Sequence, residues 1–249
     1  MKNLLSIAAF GLFLILWQGI AVGFNVPVYM LPAPTVVLGQ LIEFAPHLPP
    51  HIWATLETIL LGFLAAMAFA IPLGTLFASS RVLSDAVLPL IVFAHAIPVI
   101  ALAPIIVVSL GTGIAARVVV VLLISFFPIL ISTLTGLRAT PTDMLDLAKV
   151  AGSTTLQRLR MVEIPGAIPF IFSGLRIGIS TAVIGAVVGE FIAADRGLGY
   201  LVVHSTTNFD VPRAMAAVVC LALISVLLYQ SIEWLQKAFF PWSLRAAAQ

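Results

Sequence analysis

Residues 146–165 of this chain read DLAKVAGSTTLQRLRMVEIP. The stretch is polar, rich in helix formers, and punctuated by glycine, threonine and proline. From Arg138 to Glu163, seven of 26 residues are charged: Arg138, Asp143, Asp146, Lys149, Arg158, Arg160 and Glu163. The rest of the chain is of another kind. Of its 249 residues 61% are hydrophobic and 9% charged, and the mean hydropathy is +1.18. A soluble domain carries about 25% charged residues. Ten acids and twelve bases cannot cover a surface that faces water, so this surface is built for lipid. A net charge of +2 with scattered bases offers no stripe for nucleic acid. The single cysteine, Cys220, excludes an intrachain disulfide framework and a metal-thiolate spacing.

Outward from the polar stretch, six apolar runs are long enough to cross a bilayer as helices: Leu4–Gly23, Thr55–Phe77, Val87–Leu110, Ala116–Leu134, Phe170–Ala193 and Ala214–Leu235. The fold class expected is an all-α integral membrane bundle of about six spans forming one transmembrane domain over residues 1–249. Pro98, Pro104 and Pro128 interrupt the third and fourth runs and predict bends, because neighbouring helices or water can satisfy the carbonyls that proline frees. The first run follows Lys2 as a signal peptide would, but it is longer than an ordinary signal core, and it reads as a retained helix. Lysine and arginine in short loops set the orientation. Lys2, Arg81, Arg138, Lys149, Arg158, Arg160, Lys237 and Arg245, eight of the twelve bases, fall on one side. Both termini and the 138–166 loop are therefore expected in the cytoplasm. Residues 24–52 hold six prolines and no base, and read as an extended external loop with one short surface helix.

The polar loop carries the punctuation of two short helices. Thr140 is placed to cap the first, with Pro141 at its first position and Asp143 near the positive end of the dipole. Met144, Leu147, Ala148 and Ala151 share a face by helical spacing. Gly152 suits the left-handed residue that ends a helix. Thr154 followed by Gln157 is a capping-box pattern that opens a second helix, carried by Leu156, Leu159 and Val162 to Pro165. Periodicity leaves two destinies open: packing on its own bundle, or docking another protein.

The spacing Asp146, Ala148, Gly152, Val162, Ile164, Pro165 resembles the EAA loop of binding-protein-dependent ABC importer permeases. Asp146 stands where that pattern has glutamate, and Leu147 where it has its first alanine. The stretches PVIALAPIIVVSLGTG (98–113), FFPILISTLTGLR (126–138), IPGAIPFIFSGLRIGIS (164–180) and GLGYLV (197–202) are similar to permeases serving nitrate, sulfonate, taurine and pyrimidine or thiamine-precursor uptake, over roughly residues 30–240. The resemblance implies a type I importer permease fold in a bacterial-type inner membrane, working by alternating access. It implies a permease dimer, commonly a homodimer, with two ATP-binding subunits inside and a substrate-binding protein outside. ATP and its Mg²⁺ belong to the partner ATPase, and no cofactor or metal is expected on this chain. The resemblance also implies a role for the loop. Gly152, Ser153, Thr154, Thr155, Leu156 and Gln157 would seat in a groove of the ATPase, with Asp146, Ala148 and Pro165 framing them. The stretches AVIGAVVGEF and GLGYL look closest to permeases for pyrimidine-type vitamin precursors or riboflavin, ahead of sulfonates, taurine and nitrate.

Ionisable groups inside a span are costly and suggest function. His95 and the adjacent Pro98 read either as a gate or as an imidazole bonded to a carbonyl freed by Pro98 or Pro104. Arg176 reads either as a pathway group or as a side chain snorkelling to the interface. Glu190 either faces an interior cavity or sits on a turn where Gly185 and Gly189 permit close helix contact. Phe126, Phe127, Phe170, Phe172 and Phe191 are candidates to line a path for a flat solute. The chain has no GxxxxGK[ST] loop, no HExxH and no GxSxG elbow, so ATP hydrolysis and these hydrolytic chemistries are not expected of it. Its rival as a function is an ion-coupled secondary carrier, which would want midplane ion sites in two repeated halves, and no such repeat is visible.

Overall fold

A computed structural model describes the backbone of residues 2–243 and the side chains of 5–243. Arg245 and the side chain of Lys2, both used above for orientation, lie outside the described residues. Among these residues every regular element is helical. The chain runs α1 (Lys2–Gly23), α2 (Pro34–Phe44), α3 (Leu48–Ser79), α4 (Arg81–His95), α5 (Val99–Leu110), α6 (Ile114–Arg138), α7 (Thr142–Val150), α8 (Thr155–Arg158), α9 (Ile164–Ala193), α10 (Leu198–Thr207) and α11 (Val211–Phe239). A π turn, Leu159–Glu163, joins α8 to α9. Five helical stretches are long and apolar enough to cross a membrane, or six if α4 and α5 together form one bent span.

The bend expected in the run Val87–Leu110 is present and is close to a right angle: α4 and α5 meet at 89°. Pro98 is the cause, since it holds an extended backbone and caps the start of α5. Residues 24–52 are less loop-like than expected. They contain α2, then a 3₁₀ turn over Ala45–His47, and α3 already starts at Leu48. Residues 198–207, which lie between the fifth and sixth expected spans, form α10.

By packing, the described chain divides into two units: residues 1–56 with 194–223, and residues 57–193 with 224–249. In the first unit, Gln18 of α1 bonds the Thr35 hydroxyl at 3.2 Å, and the Leu198 N–H that opens α10 donates to Thr55 Oγ1 at 2.8 Å. The Gly197 N–H donates to His51 Nδ1 at 3.2 Å, and the His51 ring lies parallel to Tyr200. These bonds satisfy the first N–H groups of α10, which has no side-chain cap of its own.

The second unit is organised around α6. On one side, Gly62 and Gly74 of α3 bring backbone against Val121 and Thr133. On another, Gly174, Gly178, Gly185 and Gly189 of α9 meet Ser132, Ile129, Val121 and Arg117 in turn. Lipid tails are as apolar as leucine, so helices in a bilayer gain little from hydrophobicity and must gain from close contact, which small residues permit. α5 closes on the same pair through Ala103, Val120 and Val188. A Cβ added at Gly185 would stand 2.9 Å from the Val121 Cα, which is backbone and cannot rotate aside. Gly185→Val should therefore cost about 1–3 kcal/mol or prevent assembly, read as a lower thermal midpoint in detergent. Gly39→Ala, where an added Cβ meets nothing within 4 Å, should not lower that midpoint.

Candidate functional site: the α7–α8 loop

The loop begins where α6 ends. Arg138 donates to Ser84 Oγ at 2.8 Å and to the Phe77 carbonyl at 3.4 Å, which ties the end of α6 to the α3–α4 junction. The expected cap of α7 is shifted by one residue. Pro141 is the N-cap, and Thr140 donates its hydroxyl to the Leu137 carbonyl at 3.2 Å, finishing α6 instead of starting α7. Asp143 occupies the first turn and Lys149 the last, both in the sense the helix dipole favours. Asp146 pairs with Lys149 at 2.8 Å, but both side chains are well exposed, so the pair is worth little to stability.

The end of α7 follows the sequence closely. Gly152 has φ +73°. Its N–H donates to the Lys149 carbonyl at 2.9 Å and the Ser153 N–H to the Ala148 carbonyl at 3.1 Å, the two bonds of a Schellman end. Ser153 Oγ also donates to the Ala148 carbonyl at 2.7 Å. Then comes the capping box. Thr154 Oγ1 accepts from the Gln157 N–H at 3.3 Å, and Gln157 Oε1 accepts from the Thr154 N–H at 2.8 Å. Thr155 and Leu156 form the first turn of α8. From Thr155 the helical path runs unbroken into α9, as the pattern carried to Pro165 suggested, but past Arg158 it widens into the π turn, where the Ile164 N–H reaches back to the Leu159 carbonyl.

The loop's apolar face is turned outward. Leu147 is 70% exposed, Val150 87% and Leu156 72%, and Met144 and Met161 are exposed beside them. The face predicted from Met144, Leu147, Ala148 and Ala151 thus faces away from the unit that carries it. On its inner side, Leu145, Lys149, Arg158 and Glu163 line an open cavity of about 590 Å³ shared with Arg81, Asp85 and Arg138. Pro165 lies in a second recess, with Met144, Met161 and Trp242.

The other site residues predicted from sequence do not gather in one place. His95 stacks on Phe127 with ring centres 4.0 Å apart, and with Phe126 and Phe127 it lines a recess of about 190 Å³ at the α4–α5 elbow. Pro98 makes that elbow. The Arg176 guanidinium donates to Gln236 of α11 and lies 6.0 Å from the centre of the Tyr229 ring. Glu190 is buried in the second unit. It stands 14 residues beyond Arg176 on α9, about 21 Å along a helix axis. Sequence reasoning passed over the Arg158–Glu163 pair, whose nitrogen and oxygen lie 2.7 Å apart. A spacing of five matches no α-helical pairing rule, and only Pro165 hinted at a turn of another width.

Over residues 59–244 the chain matches the model of binding-protein-dependent transport system inner membrane components. It belongs to that family. The permease is 41% identical to a "Probable ABC transporter permease protein" of Haemophilus influenzae, over 94% of this chain and 95% of the relative. It is 38% identical to a riboflavin transport system permease protein of Chloroflexus aurantiacus, over 93% and 87%. It is 35% identical to a formylaminopyrimidine transport permease protein of Halalkalibacterium halodurans, over 94% and 93%. Its fold is that of the MetNI methionine ABC transporter in an inward-facing conformation: TM-score 0.70, 79% of this chain and 97% of that one, at 21% identity. The permease is thus a multi-pass membrane component of an ABC importer and not an ion-coupled carrier. Thr154→Ala should cost α8 about 1 kcal/mol, seen as faster amide exchange at residues 155–158 with α9 unchanged.

Proposed function

We propose that this permease imports a small heteroaromatic solute, of the pyrimidine-precursor or flavin class, across the inner membrane of a bacterial-type cell. Two copies pair, an external binding protein delivers the solute, and two ATP-binding subunits dock from the cytoplasm. The observation that carries this reading is the α7–α8 loop, which presents Leu147, Val150 and Leu156 outward from two short helices separated by the Gly152 turn. Exposed apolar residues on a charged loop at the ends of membrane helices are the mark of a docking surface. By the positive-inside rule, the basic loops support a cytoplasmic position for that surface. ATP and Mg²⁺ stay on the partner. Gly152 to Gln157 seat in its groove, and closure of the ATPase pair moves α8 and, through α9, the membrane gate. Such coupling needs an element with two arrangements that both ends can bias.

The solute class is supported by the relatives. Those named for riboflavin and formylaminopyrimidine are 38% and 35% identical, and one named for taurine is 30%. The flat ring of His95 stacked on Phe127, with Phe126 beside it, supports a path that accepts aromatic rings.

Gly152→Asp and Gly152→Pro should leave the protein inserted in the membrane but break the tie between ATP hydrolysis and uptake. Vesicles holding the permease with its cognate ATPase and binding protein measure both rates together, and unchanged uptake by either variant would remove the coupling role. In the same vesicles riboflavin or an aminopyrimidine should enter on addition of ATP, and taurine should not.

A further inference from the structure

The junction between α8 and α9 holds a feature that docking alone does not require. Residues Leu159–Glu163 form a π turn, and the Ile164 N–H bonds the Leu159 carbonyl five residues back. Arg158 Nε and Glu163 Oε1, also five apart, meet across this turn at 2.7 Å. In an α-helix of about 3.6 residues per turn, side chains five apart project about 140° from one another. In a π turn they stand one above the other, since its hydrogen bonds join residues five apart. The wide turn thus brings the two side chains to the same side of the helix, where they meet. Glu163 is largely buried, its side chain 12% exposed, and Arg158 is partly covered at 29%. A carboxylate in that position costs free energy when its partner is taken away. The inner side of the junction is not close-packed. The 590 Å³ cavity lined by Arg158 and Glu163 leaves room for the turn to change width.

We propose that Arg158 and Glu163 form a register latch. The closed pair holds the turn at five-residue spacing and fixes how α8 is rotated on α9. With the pair open, the turn can tighten to the α-helical ladder as far as Pro165 allows. Losing one residue's worth of widening rotates α8 by about 100° and shifts it by about 1.5 Å. Arg158 and Glu163 are positioning residues: they touch no solute and act through the orientation of α8. The latch rests on the reading that α8 meets the ATPase, so one of its tests omits the ATPase.

For that test, spin labels are placed at residues 155 and 173 of the full-length permease in detergent, with Cys220→Ala. The latched protein should give one narrow distance distribution. Glu163→Gln and Arg158→Gln should each broaden or split it. The exchanged pair, Arg158→Glu with Glu163→Arg, should restore the narrow form. In vesicles with the cognate ATPase, each single variant should still co-purify with that ATPase. Uptake per ATP hydrolysed should fall about tenfold, the factor that about 1.4 kcal/mol removed from a two-state balance produces. The exchanged pair should recover most of it. A narrow distribution in both single variants overturns the latch, as does a double variant that behaves no better than they do. Failure of the wild-type permease to hold its ATPase would instead count against the docking reading, and the label distances would still decide the latch.

Discussion

The second unit depends on how near other backbones can come to α6. Gly62 and Gly74 bring α3 onto it, and four glycines of α9 bring that helix onto it along nearly its whole length. In water an apolar interface of this kind would be driven by the release of solvent. In lipid that drive is missing, and contact between backbones has to supply what holds the helices together. The glycines are therefore structural commitments: at five of these six positions a side chain would stand under 3.0 Å from its neighbour, and at Gly189 at 3.2 Å. Thr133, buried inside α6, returns its hydroxyl to the Ile129 carbonyl at 2.7 Å and presents no unsatisfied donor.

A rigid α9 determines what its first residues can do. It leaves the loop at Ile164 and Pro165 with its direction already set by Gly174, Gly178, Gly185 and Gly189. Any change in the loop relative to the bundle must be taken up before Pro165. The π turn lies in that interval, behind an α7 closed by the Gly152 turn and an α8 opened by the Thr154–Gln157 box.

The sequence made some of this legible and hid the rest for physical reasons. Long apolar runs, the Gly152 end and the Thr154–Gln157 box are local signals: composition or spacing within a few residues sets them, and they appear where the pattern places them. The elbow at Pro98 was visible as a bend but not as a right-angled one, because the angle depends on what α4 and α5 pack against. The start of α7 moved by one residue because Thr140 found a carbonyl behind it. α10 was missed because its capping partners, His51 and Thr55, lie more than 140 residues away. The partners of Arg176 were hidden for a similar reason: Gln236 and Tyr229 come from another helix. Periodicity alone could not say whether the loop's apolar face is covered by its own unit; the exposure of Leu147, Val150 and Leu156 shows that among the described residues it is not.

Arg138 gives the loop a mechanical reach beyond α9. Its guanidinium grips Ser84 and the Phe77 carbonyl on the two sides of Ser80, the one residue separating α3 from α4. That joint works as a pinned hinge, and α4 is the arm hung from it. The arm has 15 residues, about 22 Å at about 1.5 Å each, so a tilt of about 5° at the pin carries its far end about 2 Å. At that far end stand His95 and the elbow, so the same tilt would carry them with it.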